Sequence, residues 1–411
     1  MLEKVNSLDC SEYTKMEALK IALVDSSNQM GGGQVSLANL AKVLAERGHE
    51  VHVILGLQNK GSRLYDTCSP YCHFHVVPGC NDLFDHFRVR GIISKKLSKL
   101  NKDYRFDVLN VNGIDALFVP HELLDRLVVT LHGNNLYRGL ILLRYLHTSK
   151  YMHEAYRYNL TGIIKTIIGS LVYSALEKRS CERARRVVTL TQTEANLANH
   201  FYKVPKKKIS VVPNPVCFPN GEKPLQKSPI PENKKILLSV CSLSLIKGIP
   251  VLVKAVENIL SENKDVTYVS VGDGPLIPLV QDLASRFPRR VLILNHVSTG
   301  MRSIYAHSNV FIHGSLFEAF CLSMAEAMLV GKPVVAFNIA SIPEMVINNV
   351  TGYLVEPLNP KNLAEKAIDL LDDDGKARKM GLAAKKRIEE LTNSQRIACK
   401  METAYKEAVA S

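Results

Sequence analysis

Two trains of alternating β-branched runs and amphipathic stretches, divided by a proline-rich segment, constrain this chain more than any other feature of its sequence. In the first train, "KIALVDSS" from Lys20 to Ser27 reads as a strand. "QVSLANLAKVLAERGHE" follows as a helix, with Val35, Leu37, Leu40, Val43 and Leu44 apolar and Gly48 closing it, and "VHVILG" from Val51 is the next strand. Such a unit implies parallel pairing with a right-handed crossover. Further strands fall at 106–112, 127–133 and 186–191. Then the period is lost: Pro213, Pro215, Pro219, Pro224, Pro229 and Pro231 mark a linker. Alternation resumes with strands at 235–242, 266–274, 291–297, 309–315 and 333–338 and a helix over 249–260. At 411 residues the chain exceeds what one core usually organises. The expected architecture is α/β, with two doubly wound domains over residues 1–212 and 213–390. A helix within 391–411 packs back on the first domain. Ligands of such a pair bind in the cleft between the carboxyl ends of the sheets.

Composition narrows the class. With 46% hydrophobic and 22% charged residues, the chain is that of an ordinary globular protein. No run reaches the roughly 18 apolar residues of a membrane span. The most apolar candidate, "LTGIIKTIIGSLVYSAL" at 160–176, is broken by Lys165 and reads as a helix packed in or on the protein. The first 20 residues lack a signal-peptide core, so the expected location is cytoplasmic, with the nine cysteines mostly free thiols. Cys68, Cys72, His73, His75 and Cys80 have loosely metal-like spacing, but "HFHVV" alternates as a strand and no second ligand pair follows. No metal site is expected. A net charge of +13 attracts anions. Neither zinc-finger spacing nor the aromatic-basic signature of an RNA-binding sheet is present, so nucleic acid is not the expected partner.

Gly31, Gly32 and Gly33 occupy the first strand-to-helix turn. There they either let backbone N–H groups approach a phosphate or simply make a tight turn. A dinucleotide fingerprint would need glycine where Ser36 stands. In "EAFCLSMAEAMLVGKPVVAFN", Glu318 and Glu326 flank the expected start of a helix near Cys321 to Ser323. If that helix start holds a diphosphate, carboxylates on either side suit the hydroxyls of a nucleotide-sugar. The alternative is a helix-capping Glu318 and a solvated Glu326.

The same stretch resembles the E-x7-E motif of retaining glycosyltransferases of family 4, also called group 1, whose GT-B fold faces two Rossmann-like domains across a cleft. Nearly the whole chain follows the pattern: "GGGQVSLANLAKVLAERGHEVHVI", "VVTLHGNN", "VVPNPV", "VGDGP" and "IPEMVINNVTGYLVEPLNPKNLAEKA". The resemblance implies an acceptor-binding first domain and a donor-binding second one. It puts Glu326 on the donor ribose, Glu318 on the donor sugar, Lys247 on the leaving diphosphate and His132 near the sugar. Gly32 and Gly33 would close over phosphate or acceptor. Gly272 and Gly274 form the Gly-Asp-Gly-Pro turn, and base contacts fall near His296 and Val297. Phe320, Cys321 and Leu322 lead into the phosphate-binding helix, while Asn134 and Asn214 face the acceptor. Enzymes of this type work without a metal or other cofactor.

Two positions depart from the pattern. Cys241 and Ser242 stand where the family has Gly-Arg, so one diphosphate cation is missing, and Cys321 replaces a glycine. Residues 82–102, "DLFDHFRVRGIISKKLSKLNK", set Phe84, Phe87, Ile92, Ile93, Leu97 and Leu100 among six basic residues. That pattern fits either a sheet cover or a helix lying on an anionic membrane, a second basic segment being "KRSCERARR" at 178–186. The expected function is transfer of a hexose from a UDP- or GDP-linked donor to a glycan or lipid-linked acceptor in cell-surface polysaccharide or glycolipid synthesis, at the inner face of the membrane. The alternatives are a non-catalytic nucleotide-sugar-binding protein and a nucleotide-sugar epimerase.

Overall fold

A computed structural model describes residues 17–27, 31–56, 70–80, 83–218, 230–231, 234–295, 297 and 300–410. Seven parallel strands make the first sheet: β1 (Lys20–Asp25), β2 (Glu50–Leu55), β3 (His73–Val76), β4 (Val108–Asn112), β5 (Leu127–Leu131), β6 (Arg186–Thr189) and β7 (Ile209–Val211), in the order β3-β2-β1-β4-β5-β6-β7. Six parallel strands make the second: β8 (Lys235–Val240), β9 (Val266–Val271), β10 (Val291–Leu294), β11 (Val310–His313), β12 (Val334–Phe337) and β13 (Gly352–Val355), ordered β10-β9-β8-β11-β12-β13. Strand order reverses between β1 and β4 in one sheet and between β8 and β11 in the other. At such switch points the connections diverge to opposite faces and leave a crevice at the carboxyl ends.

Period-two burial explains why β1 is a central strand. Ile21 and Leu23 pack on one face with Leu37, Ala41 and Leu44 of helix Gly32–Glu46 and with Ile397, Met401 and Tyr405 of the final helix, Ser394–Val409. Ala22 and Val24 pack on the other face, in the core that takes Ile93 and Leu97 of helix Leu83–Tyr104. The final helix is tied to the end of helix Gly32–Glu46 by Glu402, whose carboxylate accepts from Arg47 at 2.9 and 3.0 Å. Tyr405 OH also accepts from Asn110 Nδ2, at 3.0 Å.

Helix Leu83–Tyr104 is mainly a sheet cover: Val89, Ile93, Leu97 and Leu100 are buried, and only Phe87 and Ile92 of its apolar residues with described side chains stand out in solvent. Residues 160–176 belong to a single 34-residue helix, Lys150–Arg183. That helix leaves Ile164, Ile168, Leu171 and Val172 exposed, close to one face at helical spacing. Among the described residues no helix is long and apolar enough to cross a membrane.

Contacts between the two sheets' domains are specific. Both oxygens of Glu344 accept backbone N–H groups at the start of helix Gln192–Tyr202, from Gln192 at 2.9 Å and Thr193 at 2.7 Å. Thr191 and Ser341 hydroxyls meet beside them at 2.7 Å. Where the chain leaves the first sheet, Asn39 Nδ2 donates to Pro215 O at 3.0 Å and the Ser36 hydroxyl bonds the Asn214 side chain.

Candidate active site

The two switch points meet. Helix Gly32–Glu46 begins at the end of β1, and a Cβ on Gly32 would touch Leu322 Cδ1 at 3.5 Å. Leu322 opens helix Leu322–Leu329, whose first N–H groups receive no side-chain cap from Cys321. Two helix N-termini, each a positive dipole end, therefore approach one another across the cleft, the first with its Gly31 N–H taken by Gln34 Oε1 at 2.9 Å and the second without a side-chain cap.

Beside them lies a cavity of about 460 Å³. Lys247, Glu318, Ser242 and His132 line it, so four of the residues expected in the site are brought together, and Asp25, Arg138 and Glu177 join them. Lys247 Nζ is 2.6 Å from Glu318 Oε1, and His313 Nε2 is 2.9 Å from the same oxygen. Burial alone would push the Glu318 carboxyl up, but Lys247 and His313 hold it well below the ordinary range. Burial disfavours the Lys247 charge, which Glu318 and Cys321 nevertheless raise above its usual value. For His313, too, burial is outweighed: Cys321 and Glu318 lift the imidazole to about 9. The site thus sets one carboxylate between the Lys247 ammonium and the His313 imidazole.

Backbone architecture fixes Lys247. It ends a short 3-10 turn, Leu245–Lys247, closed by Gly248 at φ +61°, where a Cβ would sit 1.9 Å from Gly314 O. Gly272, at φ +132°, lets the Gly-Asp-Gly-Pro turn approach Cys241 O, which a Cβ would meet at 2.0 Å. Leu243 and Leu276 complete that junction, with N–H bonds to Asp273 O and Leu243 O at 2.8 and 2.9 Å. Gly274 abuts Leu243 in the same way. Neither glycine lines the cavity; they shape the loop that does.

Opposite, His132 follows β5. Burial pushes its imidazole down to about 4, and its Nε2 is enclosed without a partner. Gly33 lies against it, the position of a Cβ being 3.8 Å from both His132 and Asp25 Oδ2. Asp25 accepts from Asn112 Nδ2 at 2.8 Å, and burial beside Asp115 raises it to about 6.

The remaining expected residues occupy other places. Glu326 is buried one turn into its helix and accepts from Tyr305 OH at 2.8 Å. Phe320 and Cys321 are buried, with Cys321 Sγ 3.4 Å from His313 Nε2. Asn134 caps helix Asn135–Thr148 by accepting from Tyr137 N at 2.9 Å, and Asn214 is engaged by Ser36. Val297 is partly buried against the second-domain core, and His296 lies outside the described residues. Of the loosely metal-like group, Cys68 also lies outside them. His73 stacks on His52 with centroids 4.6 Å apart, His52 Nδ1 meets His75 Nε2 at 3.0 Å, and Glu50, His52 and His73 bring ligand atoms within 4.8 Å of one another, while Cys72 and Cys80 stay outside that group. His313, Asp25, Arg138 and Glu177 are absent from the sequence reading. A polar residue ending a buried strand could have marked the first two; spacing offers no signal for the others.

Three buried carboxyls make stability pH-dependent. Burial, reinforced by Glu177 and Glu344, raises Glu194 to about 8, and its Oε1 has no partner; burial raises Glu177 to about 7, as it raises Asp25 to about 6. The folded state holds protons that the unfolded chain loses above about pH 4.3. This contribution is complete below that value and disappears as pH rises through 6 to 8. The melting temperature should therefore fall between about pH 6 and pH 8.5. Glu194→Gln should flatten the decline; an unchanged profile in melts across that range would contradict the assignment.

Comparison with known proteins agrees with this geometry. Residues 30–217 match the model for "Glycosyltransferase Family 4", and 221–387 that for "Glycosyl transferases group 1". N-acetyl-alpha-D-glucosaminyl L-malate synthase of Bacillus anthracis is 28% identical over 388 residues, covering 92% of this chain and 94% of that one. Sucrose-phosphate synthase from Thermosynechococcus elongatus superposes with a TM-score of 0.74 at 20% identity over 95% of this chain and 99% of its own. Anabaena HepE in complex with UDP-glucose gives 0.68 at 20% identity over 94% and 99%. Matched in both halves and sharing this two-sheet architecture, the chain belongs to the group 1, family 4 glycosyltransferases of GT-B fold.

Proposed function

We propose that the cleft binds a UDP- or GDP-linked hexose and transfers the sugar, with retention of configuration, to a hydroxyl of a glycan or lipid-linked acceptor in cell-surface polysaccharide or glycolipid synthesis. The observation that carries this reading is Lys247, paired with Glu318 at the cavity wall, close to the uncapped start of helix Leu322–Leu329. In the proposed reaction the anomeric carbon exchanges its bond to the diphosphate oxygen for one to the acceptor oxygen on the same face, and the proton of the acceptor hydroxyl passes to the departing diphosphate. Charge grows on the departing diphosphate, where Lys247 and the helix N–H groups stabilise it. These groups take the part a metal would play, so no metal is required. Glu318 holds Lys247 and faces the sugar, Glu326 takes the ribose hydroxyls, and closure of the domains about the linker excludes water.

Calorimetric titration with UDP and GDP in the presence of EDTA tests the donor site: micromolar binding of one nucleotide is expected, and binding of neither would remove the proposal. Ser242, exposed and uncharged on the cavity wall, favours one competing reading, a nucleotide-sugar-binding protein without turnover. A binder would take up the nucleotide yet release none from a nucleotide-sugar with any acceptor.

The exposed stripe Ile164, Ile168, Leu171 and Val172, together with Leu140 and Leu143 of the preceding helix, supports peripheral association with the inner, anionic face of the membrane. The wild type should sediment with anionic vesicles at low salt, and Ile164→Ser/Ile168→Ser/Leu171→Ser should stay in the supernatant. Equal partitioning of the two proteins would rule the stripe out.

A further inference from the structure

Arg138, on helix Asn135–Thr148 of the first domain, reaches the cavity that Lys247 and Glu318 line from the second. Its Nε is enclosed, and its guanidinium has no hydrogen-bond or ion-pair partner among the described residues. Every carboxylate around the cavity is engaged elsewhere. Glu318 holds Lys247 and His313, and Asp25 accepts from Asn112 and Gln34. Asp115 accepts from Ser26, while Glu177 accepts from Tyr202 OH at 2.5 Å and Asn135 Nδ2 at 2.7 Å. Burial lowers the Arg138 pKa, and the more distant Glu177 and Glu318 only partly oppose this. A half-buried guanidinium with no close counter-charge is unfavourable in the empty protein, and its planar fork fits two oxygens of a phosphate or carboxylate. Of the two cations on the cavity wall, Lys247 has a carboxylate beside it, which it shares with His313, whereas Arg138 has none within reach and presents a second, unpaired charge to an anion.

We infer that Arg138 is an anion-binding residue of the cleft, taking the phosphoryl or carboxylate oxygens of a substrate held between the two domains. The inference rests on the cleft being the substrate site, and it adds a recognition element from the opposite domain to Lys247. Two sources fit the chemistry, the diphosphate of the donor and an anionic group on the acceptor.

The test combines melting and titration of the full chain as wild type, Arg138→Gln and Arg138→Lys, with UDP, inorganic pyrophosphate and malate as probes. An unpaired buried charge predicts that Arg138→Gln melts no lower than wild type without ligand, whereas a structural arginine predicts a lower melt. With an anion bound the order should reverse: Arg138→Gln should bind the recognised probe about tenfold more weakly or worse, with Arg138→Lys between the two. Weakened UDP and pyrophosphate binding assigns Arg138 to the donor diphosphate, and weakened malate binding alone assigns it to the acceptor. Equal binding of all three probes by wild type and Arg138→Gln, or a destabilised empty variant, would overturn the inference. Failure of the wild type to bind UDP would instead count against the donor-site proposal, leaving pyrophosphate and malate to decide on Arg138.

Discussion

Lys247→Met should lower turnover of the nucleotide-sugar by about two to three orders of magnitude, the range seen when one preorganised stabiliser of developing charge is removed. The lysine is 2.6 Å from a buried carboxylate that holds it in place, so its position needs little reorganisation as charge develops on the leaving group. Methionine keeps the length of the chain and removes the charge. The same change leaves Glu318 with His313 as its hydrogen-bond partner, and breaking a buried pair typically destabilises by about 3–5 kcal/mol. Loss of fold could therefore imitate loss of chemistry. The double variant Lys247→Met/Glu318→Gln separates them: it should recover much of the melting temperature and none of the turnover. A folded Lys247→Met with wild-type turnover would remove the lysine from the mechanism.

In Glu326→Ala the affinity for the recognised nucleoside diphosphate should fall by roughly 10²-fold, since hydrogen bonds to a charged group contribute about 1.5–3 kcal/mol each. Glu326 sits inside its helix, and one oxygen accepts from Tyr305 OH at 2.8 Å. The tyrosine is wholly buried, so the alanine variant also removes the carboxylate that its hydroxyl donates to, and stability should fall by about 1 kcal/mol. Tyr305→Phe is the control. It removes the orienting bond but keeps the carboxylate, and should weaken binding far less. Calorimetry that returned the same affinity for wild type and Glu326→Ala would withdraw the ribose role.

Strand identity was legible because each buried strand carries a dense β-branched run, as in "KIALVD" and "PVVAFN", and parallel strands are buried on both faces. β7 and β13 escaped the reading. β7 has three half-buried residues, and β13 follows a loop in which Asn349 lies at positive φ and itself opens on Gly352, so neither has an apolar run long enough to register. In the site, Glu318, Lys247 and His132 were legible through motifs that sit at strand ends. Arg138 and Glu177 were not. They come from helices, where the facing side chain depends on how Asn135–Thr148 and Lys150–Arg183 pack, and no linear spacing records that. The basic amphipathic pattern at 82–102 illustrates the converse: its apolar positions are real but serve the core, while the exposed apolar stripe lies on the next long helix but one.

The loop from Cys241 to Gly248 is held largely by main chain: Leu243 N to Asp273 O, Leu276 N to Leu243 O, Lys247 N to Ser244 O, and glycines wherever another strand of chain presses close. Apart from one 3.2 Å contact between the Ser242 and Ser244 hydroxyls, such a loop behaves as a socket whose shape depends little on the side chain at position 242. Substituting arginine for serine there would change the electrostatics of the cleft without redrawing its wall. Divergence at this spot is thus architecturally free, and chemical specialisation can proceed in a protein of this kind while its scaffold stands still.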